Sequence, residues 1–422
     1  MSDRIHDLIG IGFGPSNLAL AIALHERKSP LDAVFLEAQP SFAWHPGMMI
    51  PGADMQVSFL KDLVSLHNPQ SGFSFLSYLH AKGRLERFIN RKSFFPSRVE
   101  FNDYLSWAAA KLGKACNYDQ RVTKIDPVEQ HGEVTHLRIH AENSAGHSTI
   151  RLARQIVLAP GGQQHWPDLF APLRGSPFIS HSNDFTQKPL PQVRPKQRVA
   201  VIGGGQSASE IFATLANHPA QLSVDLILRG HALKPADDSP FVNEVFDIAH
   251  TDLLHAMPSQ KRDGFLRDFA TTNYAVTDGD LLQQIYSLLY EQDVVGDKRH
   301  GLLRDTAPIA VQKVAGKLTL MLDGPDGKQD RAYDYVVLCT GYRREITATC
   351  LANLTPWMQS AAPDRHYRLP MRKGFHPAIY VQGYSEQTHG LSDTLLSVLA
   401  VRAQEIATAA EQAQAVRMIA AE

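Results

Sequence analysis

Two glycine-rich turns are the part of this sequence with the clearest chemical meaning. The first is Gly12-Phe13-Gly14-Pro15-Ser16-Asn17, and the second is Gly203-Gly204-Gly205-Gln206-Ser207. Each follows a short apolar run typical of a buried strand and leads into a stretch typical of a helix. Glycines at such a turn let backbone N–H groups approach a pyrophosphate at a helix N-terminus, where the helix dipole favours negative charge. We therefore predict two dinucleotide sites, a combination that indicates redox chemistry.

The charge that follows the second strand of each unit predicts which nucleotide binds there. Glu37 lies 25 positions after Gly12, where a carboxylate accepts hydrogen bonds from ribose hydroxyls and suits FAD or NAD. Arg229 lies 26 positions after Gly203, where a guanidinium matches a ribose 2′-phosphate and favours NADPH over NADH. An exposed strand-end glutamate and a solvated surface arginine are the alternatives at these two positions.

Composition excludes several classes of function. The 422 residues include 42 basic and 43 acidic side chains, so no broad electrostatic surface for nucleic acid or an anionic membrane is expected. The apolar stretch at residues 8–24 is broken by glycine and proline, which argues against a signal peptide or a membrane span. Cys116, Cys339 and Cys350 form no CxxC pair, so we expect neither a metal site nor a redox dithiol. These features predict a cytoplasmic protein.

The elements that position the two turns predict an α/β protein with two dinucleotide-binding Rossmann-like domains and a smaller, mostly helical substrate-binding region. We expect an FAD domain that begins with residues 1–190. An NADPH domain follows over 191–330, with a helical insertion at about 240–300 that belongs to the substrate region. Residues 331–422 are expected to return to the FAD domain and to complete the FAD and substrate sites.

Alternation of apolar and polar residues predicts further strands in the first domain. Segments 121–125, 133–140 and 148–152 indicate a small antiparallel sheet laid over the nucleotide domain, followed by a separate buried strand at 154–162. Strands are expected again near 309–321 and 333–339, and a final helix from about Thr394 onward.

Beyond these patterns, nearly the whole sequence resembles the flavin-dependent N-hydroxylating monooxygenases of siderophore biosynthesis. The resemblance is carried by Asn17 at the position of a third glycine and by longer segments: 44–48, 55–64, 95–101, 238–244, 272–274, 339–342 and 389–397. Matches of this length are far more specific than a glycine motif. The resemblance implies FAD, NADPH, O2 and a free amino acid, and a homotetramer.

The reaction of this family gives both nucleotides a purpose. NADPH reduces FAD, the reduced flavin takes up O2 as a C4a-hydroperoxide, and the distal oxygen passes to an unprotonated side-chain amine. The turn at residues 12–17 and the segment 56–61 look more like the ornithine enzymes than the lysine enzymes, which implies N5-hydroxylation of L-ornithine for a hydroxamate siderophore. An L-lysine N6-hydroxylase or another amine or diamine hydroxylase is the alternative. A Baeyer–Villiger or sulfur-oxidising flavin monooxygenase and a non-catalytic redox sensor rank below it.

The resemblance also assigns residues to each ligand. It implies a substrate site of Lys61, Asn243, Glu244, Val245, Phe246, Asn273 and Ser397. It implies an FAD site of Gly12, Gly14, Pro15, Ser16, Asn17, Glu37, Trp44, His45, Gln56, Val122, Thr394, Leu395 and Leu396. It implies an NADPH site of Gly203, Gly204, Gly205, Gln206, Ser207, Arg229, Asn273, Tyr274 and Ala275.

Each polar residue of the predicted substrate site could instead have an ordinary structural role. Lys61 is expected to bind the substrate carboxylate, although a lysine whose stem packs while its head reaches water fits the sequence equally well. Asn243 and Asn273 are expected to hold the amino-acid end of the substrate, since an amide both donates and accepts. Without the resemblance they would be loop or cap residues, and Ser397 would be an ordinary helix serine.

Overall fold

The structure, a computed structural model, describes residues 4–421, and two parallel sheets form its frame. The first half of the chain contains these elements: β1 (Ile5–Ile11), α1 (Pro15–Glu26), β2 (Ala33–Leu36), α2 (Phe75–Ala81), α3 (Leu85–Asn90), α4 (Arg98–Lys111), β3 (Cys116–Asn117), β4 (Arg121–Gln130), β5 (Glu133–Glu142), β6 (Ser148–Leu158), β7 (Gln163–Gln164) and β8 (Ile179–His181).

The second half continues from the second glycine turn. It contains β9 (Arg198–Ile202), α5 (Gln206–Ala216), β10 (Ser223–Ile227), β11 (Lys234–Pro235), α6 (Pro240–Asn243), α7 (Ile248–Ala256), α8 (Ser259–Asp268), β12 (Val276–Thr277), α9 (Gly279–Val295), β13 (Gly301–Leu303), β14 (Ala307–Val314), β15 (Lys317–Gly324), β16 (Gly327–Tyr333), β17 (Tyr335–Leu338), β18 (Tyr342–Arg343), β19 (Ala378–Val381), α10 (Glu386–His389) and α11 (Leu399–Ala421).

The first sheet carries the first glycine turn at the end of a central strand. Its order is β3-β2-β1-β6-β5-β4, and β1 runs parallel to β2 and β6. Ile11 pairs with Leu36 on one side and Leu158 on the other, so three strand ends meet at the glycine turn. Ligands of open α/β sheets bind at this edge, outside the carboxyl ends of the strands.

The prediction of a small sheet laid over the nucleotide domain was wrong. Residues 148–158 form one continuous strand, β6, rather than an antiparallel strand followed by a separate one. The start of β6 pairs with β5 in antiparallel fashion, and its end pairs with β19 in parallel fashion. The antiparallel strands therefore extend the parallel sheet, because β6 is long enough to serve two partners along one edge.

The second sheet carries the second glycine turn in the same way. Its order is β13-β10-β9-β17-β8, and all neighbouring strands are parallel. The strands β8 and β17 lie outside the predicted range 191–330, so the sheet extends beyond that range at both ends. Both strands are largely buried, as parallel strands covered on two faces require. The expected α/β class with two dinucleotide-binding units is confirmed.

Helices fill the region around residues 240–300, where α6 to α9 lie. The side chain of Asp278 caps α9 by accepting a hydrogen bond from Asp280 N–H at 2.9 Å, and Gly296, with φ of +75°, ends it. A three-stranded antiparallel sheet of β14, β15 and β16 follows.

The C-terminal helix packs against the helix of the first glycine turn. Residues 17–24 of α1 are all buried, and α11 lies against α1. The helix α11 begins at Leu399, later than the predicted start near Thr394. The difference arises because Leu391–Thr394 form a 3-10 turn and Leu395 is extended, with φ of −111° and ψ of 176°.

Two features are absent from residues 4–421. No helix among them is both long enough and apolar enough to cross a membrane. Within the same residues, no three His, Cys, Asp or Glu side chains come together to hold a metal ion.

Candidate active site

The first glycine turn has the shape that a pyrophosphate needs. Gly12 has φ of +82°, and a Cβ there would lie 2.5 Å from Ala159 O, so a side chain is excluded. A Cβ on Gly14 would meet nothing within 4 Å, which leaves open space above the turn. No side chain caps the N-terminus of α1, and Pro15 stands at the first helical position. The turn therefore offers uncapped N–H groups and room for an anion.

Glu37 is held at the edge of this turn by backbone groups. Its Oε2 accepts a hydrogen bond from Phe13 N–H at 2.7 Å, and its Oε1 accepts one from Gln39 N–H at 2.8 Å. A carboxylate has about four acceptor positions, so these two bonds leave capacity for ribose hydroxyls. The position predicted to bind ribose thus has a fixed carboxylate.

Asn17, at the position of a third glycine, supports the turn from behind. It is fully buried, its Nδ2 donates to Gly12 O at 2.7 Å, and its Oδ1 accepts from Gln382 Nε2 at 3.0 Å. The nitrogen and the oxygen of its amide therefore both hydrogen-bond within the protein. Asn17 would affect a cofactor only by holding the glycine turn in place.

A buried ion pair completes this support. The guanidinium of Arg402 is 1% exposed and donates to Asp393 Oδ1 at 2.8 Å, Gln382 Oε1 at 3.1 Å and Ser16 Oγ at 3.0 Å. Asp393 is also buried, and its Oδ2 accepts from Ser385 N–H at 2.6 Å. The pair joins the start of α11 to the 391–394 turn and to the first turn of α1. Sequence reasoning missed Arg402, because nothing in an alanine-rich helix marks it.

Trp44 and His45, also predicted for FAD, belong to a group of neighbouring rings. Trp44 and His45 have ring centroids 5.0 Å apart, and the His45 ring lies 6.3 Å from that of Tyr342. Desolvation and the nearby charges of Arg98 and Arg344 lower the pKa of His45 to about 4. His45 is therefore neutral at pH 7 and can offer a ligand a hydrogen bond but no charge.

Gln56 and Val122 occupy contrasting environments. Gln56 is exposed and free of side-chain partners among the described residues, directly after Met55, whose N–H donates to Pro96 O at 2.8 Å. Val122 lies on β4 and packs against the core of the first sheet. It is half-buried and pairs with Ala141 of β5, so its contact with a ligand remains a prediction.

The second glycine turn repeats the design of the first. A Cβ on Gly203, which has φ of +149°, would lie 2.4 Å from Cys339 O. No side chain caps α5, and a Cβ on Gly205 would lie 3.4 Å from Ala275 Cα. The two segments predicted to bind NADPH, the turn and residues 273–275, therefore lie side by side. Gln206 links them, because its Oε1 accepts from Asp278 N–H at 2.9 Å.

Arg229 stands free beside this turn. It follows the end of β10 by two residues and is exposed. Among residues 4–421, no group accepts a hydrogen bond from its guanidinium, so the charge is available to a ligand.

Tyr274 connects the two nucleotide sites. Its hydroxyl donates to Glu386 Oε2 and lies 3.4 Å from Thr394 Oγ1, a residue of the predicted FAD segment. Burial and the charge of Glu386 raise the pKa of Tyr274 to about 12, and burial raises the pKa of Glu386. Tyr274 is therefore a neutral hydrogen-bond donor where the two sites meet.

The loop that carries Lys61 is anchored by its neighbour Asp62. The carboxylate of Asp62 is 3% exposed and accepts from the N–H groups of Val64, Ser65 and Phe75 at 2.9, 2.7 and 2.7 Å. Burial raises the pKa of Asp62 despite these hydrogen bonds. Lys61 is half-buried, and no described group accepts a hydrogen bond from its Nζ. The loop thus fixes the backbone of Lys61 and leaves its ammonium free.

Asn243 ends α6, and the residues after it pack beside the FAD segment. Its Nδ2 donates to Asp238 O at 2.7 Å, while no described group donates to its Oδ1. Val245 and Phe246 are buried in a cluster with Leu391 and Leu395, whereas Glu244 is exposed. The side chains of Val245 and Phe246 belong to the core and position Asn243 rather than offer polar contacts.

Asn273 and Ser397 have no side-chain partner among the described residues. Asn273 is half-buried and follows a 3-10 turn at Ala270–Thr272. Ser397 is 2% exposed and lies just before α11. Their contacts with a substrate remain predictions.

A second ion pair crosses between the two halves of the chain. The guanidinium of Arg98, at the start of α4, donates to Glu210 of α5 through two bonds of 3.0 and 2.8 Å, and also to Met48 O at 3.0 Å. Sequence reasoning missed this pair, although Arg98 lies in a segment that carried the resemblance. It ties the helix after the second glycine turn to the first domain.

Comparison with known proteins gives one consistent result. Residues 4–344 match the family model described as L-lysine 6-monooxygenase/L-ornithine 5-monooxygenase. The chain is 43% identical over 411 residues to an L-ornithine N(5)-monooxygenase of Pseudomonas aeruginosa, covering 95% of this chain and 93% of that protein.

Solved structures extend the likeness to the fold. An ornithine hydroxylase from Pseudomonas aeruginosa superposes with a TM-score of 0.94 at 41% identity, covering 97% of this chain and all of the other. An ornithine N-hydroxylase from Kutzneria sp. 744, described with reduced FAD, NADP+ and L-ornithine, gives a TM-score of 0.92 at 36% identity and the same coverage.

The buried pair yields a stability prediction. Asp393→Asn leaves Arg402 buried without its counter-charge, so we expect the free energy of unfolding to fall by about 3–5 kcal/mol. Urea unfolding measures this loss. The control is Asp293→Asn, which breaks an exposed pair with Lys298 and should change stability by at most about 1 kcal/mol. A similar small loss in both variants would contradict the account.

Proposed function

This chain belongs to the L-lysine 6-monooxygenase/L-ornithine 5-monooxygenase family, and on that premise we propose that it is an L-ornithine N5-monooxygenase that uses FAD, NADPH and O2. The product, N5-hydroxyornithine, supplies the hydroxamate group of siderophores. The observation that carries the proposal is the contact between Tyr274 of the segment predicted for NADPH and Thr394 of the segment predicted for FAD, since a flavin monooxygenase must bring its two cofactors together.

The residues of the first turn fit FAD. The open space above Gly14, the excluded side chain at Gly12 and the uncapped helix would receive the pyrophosphate, while Glu37 would accept from the ribose. Bound FAD supplies the chemistry: it takes a hydride from NADPH and activates O2. The exposed Gln56 and the neutral His45 would be available to the cofactor.

The second turn fits NADPH. Gly203, Gly204 and Gly205 would receive its pyrophosphate, and the unpaired guanidinium of Arg229 would bind the 2′-phosphate through charge-assisted hydrogen bonds. The hydroxyl of Tyr274 donates a hydrogen bond to Glu386 and would hold this segment against the FAD side.

Three polar residues would orient ornithine. The free ammonium of Lys61 is suited to the substrate carboxylate, and the unused Oδ1 of Asn243 and the amide of Asn273 are suited to its amino-acid end. The amine to be oxidised must be uncharged. Apolar surroundings would favour that form, because a low dielectric lowers the pKa of an amine.

We further propose that the protein is a cytoplasmic homotetramer. Tyr286, Tyr290 and Val294 are 67%, 63% and 68% exposed and lie one turn apart on α9, an apolar face that a subunit interface would cover. The three unpaired cysteines fit a reducing compartment. Light scattering of the FAD-loaded protein should give four subunits, and a monomer would refute the assembly.

Removing Arg229 should change coenzyme preference. Arg229→Ala loses a charged hydrogen bond worth about 1.5–3 kcal/mol, so kcat/KM for NADPH should fall about ten- to a hundredfold while that for NADH is spared. Stopped-flow flavin reduction measures both coenzymes. The exposed Arg194→Ala serves as control. Equal losses with NADPH and NADH would exclude the 2′-phosphate role.

Removing Lys61 should separate two activities. In Lys61→Ala the KM for ornithine should rise steeply, because a binding contact is lost, whereas NADPH-driven flavin reduction should persist. The exposed Lys114→Ala should behave as wild type in both assays. Loss of flavin reduction in folded Lys61→Ala would instead place this lysine at the redox centre.

The distance from Lys61 to the flavin should select ornithine over lysine. One methylene is worth only about 1–3 kcal/mol in packing, but a misplaced amine can cost about a hundredfold in oxygen transfer. We expect hydroxylamine from L-ornithine, with L-lysine at most stimulating uncoupled NADPH oxidation. Hydroxylamine must be assayed together with NADPH loss, and well-coupled hydroxylation of lysine would overturn the substrate assignment.

A further inference from the structure

A cationic cavity lies apart from both nucleotide turns. Its volume is about 650 Å³, and it is bounded by β6, β19, the segment 364–368 and the later turns of α11. None of the residues that line it was predicted for FAD, NADPH or substrate. Its charged or titratable lining consists of Arg154, Arg368, Arg417, His366, His376, Asp364 and Tyr380.

The three guanidinium groups have few carboxylate partners. No described residue accepts a hydrogen bond from the guanidinium of Arg368. Arg417 donates to the main-chain oxygens of Arg154, at 3.3 Å, and of His376. Within residues 4–421, Arg154 approaches only one carboxylate, that of Asp7, at 3.7 Å, and it donates to Ile5 O at 3.3 Å.

The acidic groups near the cavity already take part in hydrogen bonds or ion pairs with other residues. Oδ1 of Asp364 accepts from the N–H groups of His366 and Arg368 at 2.9 and 3.0 Å. Glu133 pairs with His376 at 2.8 Å. Burial, and then the charges of Arg368 and Arg154, lower the pKa of Arg417. The lining therefore holds three guanidinium groups against one carboxylate, that of Asp364, and Asp7 approaches Arg154 from outside the lining.

Three different elements bring these arginines together, since Arg154 lies on β6, Arg417 on α11 and Arg368 on the strand-like segment that pairs with Tyr380. Guanidinium groups bind oxyanions through paired, charge-assisted hydrogen bonds. We propose that this cavity binds a multivalent oxyanion, either a phosphate compound or a polycarboxylate.

Isothermal titration calorimetry tests the proposal on the FAD-loaded protein with saturating NADP+, so that both nucleotide sites are filled. Pyrophosphate and citrate are the two probes, in a chloride buffer of low ionic strength. We expect binding at one site per chain, weakened at least about tenfold by Arg368→Gln. The matched control is Arg87→Gln, an exposed arginine on α3, which should bind as wild type does.

The choice of Arg368 keeps the test interpretable. Its guanidinium supports no other described residue, so FAD content and melting temperature should match those of wild type. Binding of pyrophosphate alone would identify a phosphate site, binding of citrate alone a polycarboxylate site, and binding of both a general oxyanion site. The proposal fails if neither probe binds, or if Arg368→Gln binds as tightly as Arg87→Gln.

Discussion

The buried guanidinium of Arg402 is the interaction on which the rest of this site depends. Taking its charge and that of Asp393 out of water is costly, and the cost is offset only because nearly every polar atom of the pair has a partner. Those partners are Ser16 on the first glycine turn, Gln382 after β19, and Ser385 before the 391–394 turn. One ion pair thus fixes three distant segments of the chain at the base of the cofactor site.

The second cofactor site is built onto this base. Thr394, adjacent to Asp393, lies against Tyr274 from the segment beside the second glycine turn. On the other side, Arg98 and Glu210 connect α4 to α5. The substrate segment joins through apolar contacts, since Val245 and Phe246 pack with Leu391. Polar contacts therefore connect the two segments predicted to bind nucleotides, and apolar packing joins the predicted substrate segment at Val245 and Phe246 to them.

Sequence reasoning succeeded where the signal is local. A glycine turn requires neighbouring residues of fixed type, and Glu37 and Arg229 are placed by the length of one strand–helix–strand unit. It failed where pairing is long-range. The continuity of β6 depends on partners far away in the sequence, and β8 and β17 enter the second sheet from outside its predicted range. Arg402 and Arg98 were missed because a charged residue on a helix is normally solvated, and only the folded structure shows its buried partner.

The predicted roles of the substrate residues came from the family resemblance. These residues are Lys61, Asn243, Asn273 and Ser397. The structure adds only that each has hydrogen-bonding groups that no described residue uses.

A crystal structure of the protein with FAD, NADP+ and L-ornithine tests the central claim most directly. The account predicts pyrophosphates at both glycine turns, the ornithine carboxylate on Lys61 Nζ with Asn243 beside it, and the side-chain amine directed at the flavin ring. Ornithine bound away from Lys61, or with its side-chain amine turned from the flavin, would contradict it.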